Sequence, residues 1–100
     1  MIHHVILWKL KEDLVGEEKE KVAEGIKKNL EGLVGKVPGL RSVSVIISPL
    51  ASSNADVMLD SVLESEEALK GYQTHPAHVE VADTYVRPYT QVRMCMDYEM

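Results

Sequence analysis

One hundred residues with a formal charge of −5 and an apolar share of 45% make a chain of single-domain size, expected over 1–100, whose core is modest. The acidic balance, with no face of clustered Lys and Arg, argues against a nucleic-acid partner. The longest wholly apolar run, Val5 to Trp8, is too short for a bilayer, and Met1-Ile2-His3-His4 has neither region of a signal peptide, so a cytoplasmic setting with no membrane partner is expected.

Ile2 to Lys11 reads as a strand with apolar residues on both parities: Ile2, Ile6, Trp8 and Leu10 on one side, Val5 and Leu7 on the other. Both faces therefore need cover. From about Glu17 the spacing of Val22, Ile26, Leu30, Leu33 and Val34 is that of an amphipathic helix, with Glu17/Lys21 and Glu24/Lys28 placed for surface ion pairs. Gly35-Lys36-Val37-Pro38-Gly39 stops it. Leu40 to Ser48 is a second strand, Val57 to Leu63 a third, and the short link between them predicts an antiparallel hairpin. Ser65 caps a further helix with Glu66 and Glu67 in its first turn and Ala68, Leu69 and Tyr72 on its buried stripe. Val81, Ala82 and Tyr85 continue a helical face to Arg87-Pro88, and Tyr89 to Tyr98 is the last strand.

This order is the ferredoxin-like βαββαβ unit, an α+β fold with a four-stranded antiparallel sheet and helices on one face. The other sheet face is too apolar to stand in water, and no segment remains to cover it. A second copy is the economical cover, so a homodimer enclosing a lumen between two sheets is predicted.

The run Gly71-Tyr72-Gln73-Thr74-His75-Pro76-Ala77-His78 holds the candidate site. Six positions apart on an unbroken helix, Tyr72 and His78 point away from each other. Pro76 pushes His75 out of helical geometry, ends one helix near Thr74 and starts another, and across that bend the two rings can converge. Histidine titrates near neutrality and tyrosine keeps its proton, so the pair is an acid-base kit, and a place in the first turn of the second helix disfavours a charged His78. The competing reading from the residues alone is structural: a plain helix junction whose imidazoles cap backbone groups.

The segments His4-Val5-Ile6-Leu7-Trp8-Lys9-Leu10-Lys11, Val37-Pro38-Gly39-Leu40 and Tyr72 to His78, with Asp83-Thr84-Tyr85 after them, resemble the stress-responsive dimeric α/β-barrel (Dabb) domain over nearly the whole chain. The resemblance implies a ferredoxin-like protomer in a barrel-forming homodimer. In members of the olivetolic acid cyclase type it also implies polyketide cyclisation, with His78 abstracting a proton beside a carbonyl and Tyr72 hydrogen-bonding the oxyanion. His4, Ile6, Trp8 and His75 are the candidate substrate-contacting residues. Two readings stay open: a dimer that binds a small apolar or aromatic carbonyl ligand unchanged, and a lyase- or cyclase-type enzyme.

No cofactor is expected, since the glycines form no phosphate-cradling loop or dinucleotide fingerprint and no haem motif is present. No metal site is expected either: Pro76 spoils the ligand-like spacing of His75 and His78, and His3 and His4 face opposite sides of a strand. Cys95, the sole cysteine, and the methionines Met58, Met94 and Met96 are expected in the interior, as is the bulk of Trp8.

Overall fold

The β-branched and aliphatic run at the start of the chain forms β1 (Ile2–Leu10), and the helical periodicity after it forms α1 (Gly16–Glu31). In the computed structural model, which describes residues 1–100, these are followed by β2 (Leu40–Ile46), β3 (Val57–Leu63), α2 (Glu66–Thr74), α3 (Pro76–Val81) and β4 (Thr90–Glu99). The sheet order is β2-β3-β1-β4 with every neighbouring pair antiparallel, the arrangement of a ferredoxin-like fold. No helix is long and apolar enough to cross a membrane.

The two parities of β1 have different fates. Ile2, Ile6, Trp8 and Leu10 are buried beneath the helices, where they meet Val45, Leu59 and Leu63 from the sheet and Ile26, Leu30 and Tyr72 from α1 and α2. The opposite face has no helix over it. It leaves Leu7 and Ile46 exposed, and the β4 residues Val92, Met94, Met96 and Tyr98 as well, with Met94 and Met96 about two-thirds exposed at 67% and 69%. The expectation that these two methionines fill the interior is therefore corrected: strand alternation puts them on the open face.

Local details depart from the sequence reading where packing overrides spacing. Glu17/Lys21 and Glu24/Lys28 form no ion pairs; Lys27 and Glu31 do, at 2.8 Å. The same two side chains reach the edge strand β2, where Lys27 Nζ donates to the Val45 carbonyl at 2.7 Å and the Val45 N–H donates to Glu31 at 3.0 Å. They supply partners that an edge strand otherwise lacks. After α3 the helix widens into a π turn over Ala82–Val86, in which the Arg87 N–H reaches back to the Ala82 carbonyl. The added residue per turn rotates the buried stripe onto Ala82 and Val86 and leaves Tyr85, expected on the buried face, 39% exposed. At the turn before β2, Gly39 has φ +81° and lies so close to α2 that a Cβ there would stand 2.6 Å from that of Ala68.

Candidate functional site

The helix break around Pro76 builds the site. Ser65 caps α2 by accepting the Ala68 N–H at 3.1 Å, and α2 runs to Thr74. His75 then turns extended (φ −63°, ψ 133°), as a residue before proline should, and Pro76 opens α3. His75 Nδ1 accepts the Ala77 N–H at 3.1 Å, so this ring caps the new helix. It is not among the residues around the cavity beside His78.

Across the bend the Tyr72 and His78 rings lie 4.3 Å apart, tilted by 52°. His4, on the helix-covered parity of β1, presents its ring to Tyr72 at 6.1 Å in an edge-on arrangement. His4, Ile6 and Trp8 line the same cavity as His78, together with Gln73, Arg87 and Arg93. Its volume is about 80 Å³. These wall residues face the helices, whereas the uncovered sheet face carries the other parity of β1. The residues expected to line a lumen between two sheets border instead a cavity inside one protomer, between sheet and helices. A larger, more open groove of about 480 Å³ runs alongside, between α2 and the end of β4, and shares Gln73 with it.

Tyr72 is fully buried, and its hydroxyl has no hydrogen-bond partner; His78 Nδ1 is buried and unpartnered as well. Burial pushes the Tyr72 phenol up to about 12, so it stays a donor across the physiological range. Burial is also the main reason His78 is held below its ordinary 6.5. The Gln73 backbone works against it, and the charges of His4, Arg87 and Arg93 add to the lowering. The expected neutral imidazole is present, with desolvation rather than the helix dipole as its leading cause.

Asp97 of β4 was not among the residues singled out from sequence. It sits opposite His4 in the β1–β4 register, and its carboxylate lies 2.5 Å from His4 Nδ1. His4 is 1% exposed, so this contact fixes a buried ring from the sheet edge. The Ser61 hydroxyl donates to the His4 carbonyl at 3.0 Å and secures the same residue from β3. Cys95 is not in the core. It is exposed on β4, the edge strand, with Sγ 3.7 Å from His4 Nδ1. Burial, then the Asp97 charge, raise its thiol, so it is no activated nucleophile.

Residues 2–100 match the stress responsive A/B barrel domain (Dabb) family. The chain belongs to the Dabb family. Among solved structures it is similar to a dimeric protein of unknown function with a ferredoxin-like fold from Bacteroides fragilis NCTC 9343, at 29% identity over 99% of this chain and 95% of that one, with a TM-score of 0.92. It is also similar to a dimeric ferredoxin-like protein of unknown function from Thermobifida fusca YX, at 23% identity over 99% and 90% with a TM-score of 0.77. Hydroxynitrile lyase from Passiflora edulis is similar at 14% identity over 97% and 90%, with a TM-score of 0.78. The last two likenesses concern the fold alone. No curated protein matches the sequence.

In this Dabb protein the one group of three potential metal ligands is His4, Cys95 and Asp97, with donor atoms within 4.8 Å of one another. Two ligands bonded at about 2.0 to 2.1 Å to a tetrahedral ion stand roughly 3.3 Å apart. The 2.5 Å between His4 and Asp97 is the spacing of a short hydrogen bond.

Proposed function

We propose that this protein is a homodimer in which each protomer binds a small carbonyl compound inside its own cavity and moves a proton on it. His78 takes the proton from the carbon next to the carbonyl, and Tyr72 donates a hydrogen bond to the oxygen that gains charge. The observation that carries this reading is the pair of buried, unpartnered polar atoms, Tyr72 Oη and His78 Nδ1, on rings 4.3 Å apart, of which His78 lines the cavity. Buried polar groups are nearly always satisfied, and an orphaned donor beside an orphaned acceptor marks a place where a ligand's polar atoms belong. His4, held by Asp97, together with Ile6 and Trp8, walls the bound molecule.

Size narrows the ligand. A cavity of about 80 Å³ offers about half the space of the ~150 Å³ cavities that take a benzene ring. The buried portion of the ligand is thus a short carbonyl fragment rather than an aromatic ring. The dimer is supported by the uncovered apolar face and by the similar proteins described as dimeric.

The test is deuterium uptake from heavy water into small ketones and aldehydes, followed by proton NMR. The wild-type protein should accelerate uptake, and His78→Ala should lower the rate about a hundredfold or more. Tyr72→Phe should lose a similar factor. Equal uptake with all three proteins sinks the catalytic part. A ketone that raises the melting temperature yet never exchanges its protons would instead identify a binding protein.

A further inference from the structure

Two guanidinium groups border the cavity that holds His78, and the sequence reading gave neither of them a role. Arg87 follows the π turn, where Nη1 pairs with Asp83 one turn earlier. Arg93 stands on β4 opposite Trp8, on the sheet face that also carries His4 and Ile6. It forms no ion pair, although the chain carries 16 acidic residues against 11 Lys and Arg. Both guanidinium groups border the cavity that the half-buried His78 ring lines, and Arg93 also lies beside Cys95 on the same strand. An anion at that cavity would find two guanidinium groups at its border.

We propose that the ligand carries a carboxylate next to its carbonyl, a short 2-oxo acid in chemical class, with the carboxylate held by Arg93 and Arg87 and the carbonyl placed toward Tyr72 and His78. The inference rests on the acid-base reading above and names its substrate class. Arginine offers a planar fork that matches a carboxylate with two parallel hydrogen bonds, which a lysine point charge does not. The volume agrees: a cavity of about 80 Å³ admits the few heavy atoms of a short keto fragment, while the carboxylate remains at the arginine side of the opening. Binding has an electrostatic consequence. Neutralising the guanidinium charges takes away part of the field that disfavours imidazolium, so His78 becomes a stronger base when the acid is bound than when the cavity lacks it.

Pyruvate and its neutral ester methyl pyruvate are the probes, because they share the carbonyl and differ in charge. The His78 Cε1–H resonance is followed while each is titrated into wild type and into the Arg93→Gln, Arg93→Lys and Arg87→Gln/Arg93→Gln variants. Arg93 is exposed, so these substitutions leave the core intact, and thermal melts check this. Pyruvate should shift the resonance saturably and raise the ring's titration midpoint. Arg93→Gln should weaken pyruvate about tenfold, equivalent to about 1.4 kcal/mol, with Arg93→Lys in between. Methyl pyruvate should bind weakly and equally to wild type and variants. The proposal is overturned by an absent pyruvate response, by methyl pyruvate binding as tightly as pyruvate, or by unchanged pyruvate affinity in the double variant. Deuterium uptake at the pyruvate methyl separates the two levels. Arginine-dependent binding together with uptake that ignores His78→Ala removes the acid-base reading and leaves the carboxylate site standing.

Discussion

Tyr72 carries a hydroxyl that folding does not need. It is fully buried and unpartnered, and a buried polar group without a partner costs roughly 1–3 kcal/mol relative to a satisfied one. Tyr72→Phe should therefore raise stability by about 1 kcal/mol in urea denaturation while it removes turnover; a variant that loses both would mean the hydroxyl holds the fold. His78 gives the complementary test. Its folded form resists protonation because of burial, whereas the unfolded chain takes up a proton near 6.5. As pH falls below 6.5 the unfolded state binds protons first, so the contribution of His78 to stability is full above that value and shrinks as pH drops toward the lower folded value. The acidic limb of proton exchange should lie below 6.5 for the same reason, and His78→Ala should flatten the stability change in parallel denaturation curves at pH 7.5 and 5.5. Both residues were legible in the sequence because Pro76 fixes the local geometry that joins them. Asp97, Arg93 and Arg87 were not, since their approach to the cavity depends on the β1–β4 register and on a π turn, neither of which leaves a local mark on the chain.

At the level of elements, the strand and helix order could be read from periodicity, and the boundaries moved by a residue or two, except that α1 ends at Glu31, three residues short of Val34. What periodicity missed is how elements hold one another. The pairing of Lys27 with Glu31 is an ordinary helix-surface spacing, but its consequence lies on β2, where both side chains satisfy the backbone of Val45. The Lys27 hydrogen bond, then the Val45 N–H, hold the Glu31 carboxyl below its usual 4.5. A carboxylate depressed in this way stabilises the fold above its unfolded value and ceases to do so as pH falls through its folded one. Glu31→Ala should cost about 1 kcal/mol at neutral pH, a modest figure because the side chain is one-third exposed. It should also promote self-association through the unprotected edge, which light scattering after mild heating would register. Unchanged melting and scattering would mean that water serves the Val45 backbone equally well.

For the molecule as a whole, the uncovered apolar face was legible and the position of the candidate site was not. Both parities of β1 are apolar, and three helical segments cover only one of them, which leaves Leu7, Met94 and Met96 without cover. A sequence shows this deficit, but it does not show which face takes the helices, and the candidate site went with the covered face. That placement bears on the proposed dimer. If two sheets enclosed the site, a monomer would have no site at all; with the cavity between sheet and helices, each protomer carries its own His4, Tyr72 and His78. Met94→Glu/Met96→Glu puts two charges on the open face, whose burial against a second copy would be strongly unfavourable, and should yield a species of one chain mass in sedimentation. Loss of the shielded apolar area should lower the melting temperature, because apolar surface removed from water supplies roughly 25 cal/mol per Å². Yet the His78 resonance should respond to pyruvate with affinity within about twofold of wild type, as expected for substitutions on the opposite side of the sheet. A folded monomer that no longer binds would show that the partner completes the cavity, and a variant that stays dimeric would show that the open sheet face is not where the copies meet.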